Sequence, residues 1–254
     1  MRQEISNKGF HDHDLPLDVV VMDLYWHDQK QPHEGRGNAW FGWEWNFDLF
    51  PNPREFIDWL HSEGLRLSAN VHPGGIPSTD YRFASLNARF PDTFPAIQSP
   101  DPKYTSAHMV DWTDHKLVEA YFEELHRPIN DDGLDIWWID GDGNIGQAEV
   151  NRFYFEFTEN VFPDRRPLIM SRHGWMYGHR YSVIMTGDSH ADWEVLEEEI
   201  RLTAQAGNVL QTYMSHEIAG HLDDLPPELF VRWSQFGVLC NQRSGHQSYL
   251  LSSG

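Results

Sequence analysis

Cysteine is almost absent. Cys240 is the only one in 254 residues, so no internal disulfide can form and no Cys-based zinc site is available. Basic residues are also scarce: 19 Lys and Arg stand against 39 Asp and Glu, a formal charge of −20. That balance repels a phosphate backbone and an anionic membrane surface, so neither nucleic acid nor membrane is an expected partner. A neutral substrate fits it. Long apolar runs are missing, and none approaches the ~18 residues of a membrane span. The opening residues, Met1 to Asp14, are polar rather than leader-like. With neither leader nor span visible, a cytoplasmic location is expected. No G-x-G-x-x-G turn follows a strand, which argues against a dinucleotide site. No cofactor is expected. His11-Asp12-His13-Asp14 reads as a solvated loop, and no metal site is expected.

What the chain does contain is aromatic and rhythmic. Eleven tryptophans stand among 14% aromatic residues, enough for both core packing and ring-stacking surfaces. Apolar runs of strand length fall at 18–23, 65–71, 134–140, 167–172, 181–188, 208–214 and 237–240. Helical spacing appears at 54–61, 114–127, 147–160, 193–206 and 226–238. Strand, helix, strand with short connections is the pattern of a parallel α/β sheet. Residues 76–112, rich in Pro, Ser and Asp, form a long excursion. The expectation is a single domain over 1–254: a (β/α)8 TIM barrel short of about one unit. A doubly wound open sheet is the alternative.

Ionisable residues gather where the apolar runs stop: Asp23, His72, Asp140, Arg172, Asp188, Glu217 and His246. A closed barrel brings such ends to one face, where barrel enzymes keep their chemistry. Any one Asp there is as readily a helix N-cap or a turn residue. The set is harder to explain that way. Two carboxylates flanking a bond are what glycoside hydrolysis needs, and Asp140 and Asp188 are the candidates. Their spacing alone leaves open which attacks and which carries the proton.

Five pieces come in a recognisable order. They are Trp137-Trp138-Ile139-Asp140; Ser171-Arg172; Thr186-Gly187-Asp188 with Ala191-Asp192-Trp193-Glu194; Ser215-His216-Glu217-Ile218-Ala219-Gly220-His221; and Glu228-Leu229-Phe230-Val231-Arg232-Trp233-Ser234-Gln235-Phe236-Gly237 before His246. Together they resemble the catalytic barrel of glycoside hydrolase family 31, the retaining α-glucosidase and α-xylosidase family. The resemblance runs through almost the whole chain. It implies Asp140 as nucleophile and Asp188 as acid/base, with carboxyl groups about 5–5.5 Å apart. It further implies Asp23, Arg172, Glu217 and His246 as substrate contacts, and His72 at its strand end and Trp138 beside Asp140 are candidate contacts with them. The implied partner is an α-linked oligosaccharide or glycoconjugate.

The chain also departs from the family pattern. Glu217 stands where the family has Asp, and Ser244 stands where it has an arginine, with Arg243 one place earlier. The family's first barrel strand and its flanking β-sandwich domains are expected to be missing. A non-catalytic or vestigial carbohydrate-binding barrel is therefore the competing reading, with a transglycosylase as the third. A zinc peptidase is disfavoured, because His216 and His221 are five apart rather than the four of H-E-x-x-H.

Overall fold

The computed structural model describes residues 10, 12–28, 32–33, 36–37, 40–91, 107–141, 146–172, 174, 176–222 and 224–239. Its strands are β1 (Val19–Met22), β2 (Pro32–His33), β3 (Arg36–Gly37), β4 (Arg66–Val71), β5 (Gly75–Pro77), β6 (Ala107–Met109), β7 (Ile136–Ile139), β8 (Ile169–Ser171), β9 (Val183–Met185) and β10 (Met214–Ser215). Its helices are α1 (Pro53–Ser62), α2 (Tyr81–Arg89), α3 (His115–Tyr121), α4 (Arg127–Asp131), α5 (Gln147–Val161), α6 (Trp193–Asn208) and α7 (Pro227–Leu239). The chain divides into two compact units, residues 1–137 and 138–254, and β7 straddles the division.

In the first unit β1, β4 and the start of β7 lie side by side in that order. β1 and β4 are parallel, with Val19 opposite Arg66 and Met22 opposite Ala69. A parallel pair needs a crossover, and α1 supplies it. Asn52 opens α1 by accepting from the Glu55 amide, and Pro53 presets the first turn. Gly64, at φ +79°, supplies the left-handed residue that ends it. Phe56, Ile57 and Leu60 face inward. β4 is buried from Leu67 to Val71, as a strand covered on both faces should be. Asp135, 5% exposed, pins the entry to β7. Its carboxylate accepts from the Leu67 amide at 3.0 Å and contacts His61 Nε2 at 2.8 Å.

The excursion is partly ordered into elements. β5 and β6 pair antiparallel, Gly75 opposite Met109, and α2 lies between them in sequence. Beyond it, α3 runs into α4 through one wide π-helical turn, Phe122–His126. Pro128 follows at the start of α4, and a residue without an N–H cannot continue the regular ladder. Tyr121, the last residue of α3, and His126, the last of this turn, join an aromatic core with Trp26, Trp43, Trp45 and Trp137. Ring centroids are 5.2 Å apart for Trp26–Trp45, 4.4 Å for Trp43–His126 and 4.9 Å for His126–Trp137. Buried indoles need acceptors. Trp26 donates to the Asn70 carbonyl, Trp43 to the Gly75 carbonyl, Trp45 to Asp132 and Trp137 to Asn130, all within 2.7–3.0 Å.

In the second unit β7, β8, β9 and β10 follow in sequence order, with β8–β9 and β9–β10 parallel. Asp192 caps α6 by accepting from the Val195 amide at 2.8 Å. Ala191, Leu196, Leu229 and Trp233 form an apolar cluster between α6 and α7.

Six of the expected strands are present among the described residues, each within or near the expected run and shorter than it. The run at 208–214 shortens to Met214–Ser215, because α6 continues to Asn208 and Leu210 turns at φ +67°. The seventh is a correction: residues 237–239 are the last turn of α7, not a strand. Leu229, Trp233 and Gly237 are buried at spacings of four, so the apolar run prolongs a helical stripe.

Candidate active site

The described candidates stand just past strand ends. Asp23 follows β1, His72 follows β4, Asp140 follows β7 and Arg172 follows β8. Asp188 lies three residues beyond β9, and Glu217 two beyond β10. His246 lies outside the described residues.

In the second unit Arg172 gathers two of them. Its Nη1 donates to Asp140 Oδ1 at 2.9 Å, and its Nη2 pairs with Asp188 Oδ2 at 3.0 Å. One planar fork thus serves two carboxylates. Asp140 is buried, whereas 39% of the Asp188 side chain is open to solvent. Burial of Arg172 works against its charge, but the hydrogen bond and charge of Asp140 and the charge of Asp188 outweigh it, and the guanidinium pKa is raised. Gly187, at φ +86°, makes room for this fork. A Cβ there would stand 2.6 Å from Arg172 Nε.

The Asp188 loop rests on the turn after β10. The Ser189 carbonyl accepts from the amides of His221 (2.8 Å) and Leu222 (3.2 Å). Gly220, at φ +77°, lets the two backbones touch: a Cβ on it would lie 2.7 Å from the Ala191 nitrogen. Glu217, in the same turn, is 1% exposed. His216 beside it contacts Glu199 of α6 through Nδ1 and Thr203 Oγ1 through Nε2, the latter at 3.0 Å.

In the first unit Asp23 caps a short 3₁₀ turn, Leu24–Trp26, accepting from the Leu24 amide at 2.6 Å. A capping role and a sugar contact are compatible, since a carboxylate has more than one acceptor site. His72 meets Trp40 edge to face at 4.6 Å. Burial holds the nearby His27 down at about pKa 4, with His72 adding to the effect and Asp28 and Asp23 opposing it. Trp138, on β7, is 3% exposed, so little of its ring is open to a ligand in this conformation.

The sequence profile of the glycosyl hydrolases family 31 TIM-barrel domain matches residues 4–250. The chain belongs to glycoside hydrolase family 31. Among its family 31 relatives, the α-xylosidase of Emericella nidulans is 24% identical over 261 residues, which is 94% of this chain and 32% of the relative. Neutral α-glucosidase AB of Sus scrofa is 24% identical over 267 residues, 91% of this chain and 27% of the relative. The solved dextranase of Flavobacterium johnsoniae, in complex with isomaltotriose, superposes with a TM-score of 0.77 at 18% identity, covering 93% of this chain and 33% of that one. The Xanthomonas citri α-xylosidase gives 0.77 at 17%, covering 93% and 30%. The chain therefore spans about a third of the length of these relatives, and the shared part is the (β/α)8-type barrel domain.

Two positions of this family 31 chain gain meaning from the structure. Glu217, in place of the family's Asp, is accommodated wholly inside the protein. Ala219, in place of the family's first Gly of the pair, is held at φ +76°, a conformation unfavourable to any side chain. Reading the sequence by strand ends did not reach Glu199, Thr203, Ser189 or Gly220. Glu199 did carry a signal: it lies three residues after Leu196 on the inward stripe of α6, while Glu197 and Glu198 point outward.

Proposed function

We propose that this chain hydrolyses α-linked glycosidic bonds with retention of configuration. Asp140 attacks the anomeric carbon while Asp188 gives a proton to the leaving oxygen. Water, losing its proton to Asp188, then attacks the glycosyl ester on Asp140 and releases the sugar. The observation that carries this reading is the common guanidinium: one Arg172 fork binds both carboxylates, which supports a closely spaced pair. Family membership supports the roles, and a neutral α-linked oligosaccharide or glycoconjugate is the substrate class.

Arg172 then has a part in each step. Asp188 must carry a proton as the leaving oxygen departs, so its ion pair has to open when substrate enters. Sugar hydroxyls are the natural replacement acceptors for the freed guanidinium. Asp23 and His72 are proposed as sugar contacts, each to be tested singly by substitution; Glu217, 1% exposed, reaches a sugar only if its turn opens.

The test is a panel of 4-nitrophenyl α-glycosides beside an Asp140→Asn control. Release of 4-nitrophenol by the native chain, abolished in the control, is the expected result. Proton NMR of the first product should give the α-anomer. Binding of the glycosides without product formation would establish the non-catalytic reading, and an inverted anomer would remove the two-step mechanism.

A further inference from the structure

We propose that Glu199 is a positioning residue that acts through His216 to hold the turn carrying Glu217 and, through it, the loop carrying Asp188. The catalytic consequence rests on the reading above; the mechanical one does not.

Glu199 sits where α6 should be apolar. It is 6% exposed, three residues after buried Leu196. A buried carboxylate is costly unless it is paired and hydrogen-bonded, so its place there calls for a partner. The partner is His216, 1% exposed, on the strand-end turn. The Thr203 hydroxyl donates to the Glu199 backbone carbonyl at 2.7 Å and lies 3.0 Å from His216 Nε2, while Nδ1 meets the Glu199 carboxyl. The ring is thereby held at both nitrogens from one helix, while Phe236 of α7 tilts against its face at 5.2 Å.

What the ring holds is the next few residues. Glu217 follows directly, and its carbonyl accepts from Gly220 at 3.0 Å, closing the turn. Beyond it the amides of His221 and Leu222 both donate to Ser189, the residue after Asp188. Gly220 stacks on the His190–Ala191 backbone. Besides the direct connection through the Asp192 cap, a second path from α6 to the Asp188 loop therefore runs through one histidine side chain and one turn. A hydrophobic residue at 199 could fill the space, but it would not fix the ring's rotation.

The experiment is hydrogen exchange on the whole chain, resolved by residue, for the native protein, Glu199→Leu, Glu199→Gln and Thr203→Val. Glu199→Leu should speed exchange at the His221 and Leu222 amides at least tenfold, while amides within α6 and α7 stay protected. Glu199→Gln keeps an acceptor for the ring and should restore most of that protection. Thr203→Val should give an intermediate effect with little risk to folding. In the hydrolysis assay Glu199→Leu should lower kcat and raise KM together, since both Asp188 and Glu217 lose their setting. Unchanged exchange at His221 and Leu222 in Glu199→Leu and Thr203→Val overturns the proposal. So does a uniform rise across both helices, which would mean a structural role alone. Exchange is read without substrate, so a chain that hydrolyses nothing defeats the proposed function while the exchange rates still decide the positioning role.

Discussion

Gly220 touches the backbone of Ala191 so closely that even a methyl group would stand 2.7 Å from its nitrogen. The contact joins the turn that bears Glu217 to the loop that bears Asp188. It depends on the absence of a side chain and on a left-handed backbone, φ +77°.

Gly220→Ala should therefore cost on both counts. The strained backbone and the overlap with a rigid peptide together predict a loss of about 1–3 kcal/mol in stability. Displacing the Asp188 loop by a fraction of an ångström to an ångström should lower kcat/KM by about tenfold to a hundredfold. Denaturant unfolding and 4-nitrophenyl glycoside hydrolysis measure the two effects separately. A variant with native stability and native turnover would mean that the contact is not needed.

The neighbouring position should respond in the opposite sense. Ala219 adopts φ +76° with a Cβ in place. Ala219→Gly relieves that strain and should stabilise the protein by up to about 1 kcal/mol, less what the freer unfolded chain takes back. Thermal unfolding should rise by about 2–4 °C. A fall in melting temperature would contradict the strained assignment.

Arg172→Lys keeps a positive charge and loses the fork. A lysine ammonium is a point donor and cannot span two carboxylates in one plane as the guanidinium does. Folding should persist, because Asp188 is partly solvated and Asp140 can retain one partner. Turnover should fall roughly 10- to 100-fold as the pair loses its spacing. Native kcat and KM in this variant would show that a single charge suffices.

Two histidines set a pH dependence of stability. Burial lowers His27 from 6.5 to about 4 and lowers His126 well below 6.5. Both are neutral in the folded chain at pH values where the unfolded chain already protonates them. The unfolded state then binds more protons, so stability is complete above about pH 6.5 and falls as pH drops toward 4, by about 1.4 kcal/mol per pH unit for each histidine. Urea unfolding at pH 7, 6 and 5 measures the slope. It should flatten in a His27→Asn/His126→Asn double variant, whatever that variant's absolute stability. An unchanged slope would assign the acid sensitivity to other groups.

The sequence by itself determined the rhythm of the chain and the chemistry at its strand ends. Apolar runs ending in Asp23, Asp140 and Arg172 are local patterns, set by burial of the strand and by the polar residue that terminates it. Residue order was enough to read them, and enough to connect the chain with its family. It misplaced Gly237 to Leu239, because a short apolar run has the same composition in a strand as in the last turn of a helix, and only packing of Trp233 and Gly237 on one face decides between them. The Arg172 fork could not be read from order either. It joins residues 32 and 16 positions from the arginine, and that meeting depends on how strands β7, β8 and β9 lie. Glu199 and His216 are the clearest case. In sequence one is the third glutamate of an acidic run and the other a histidine before an acid; only the tertiary structure buries them together, where exclusion of water makes each the other's required partner.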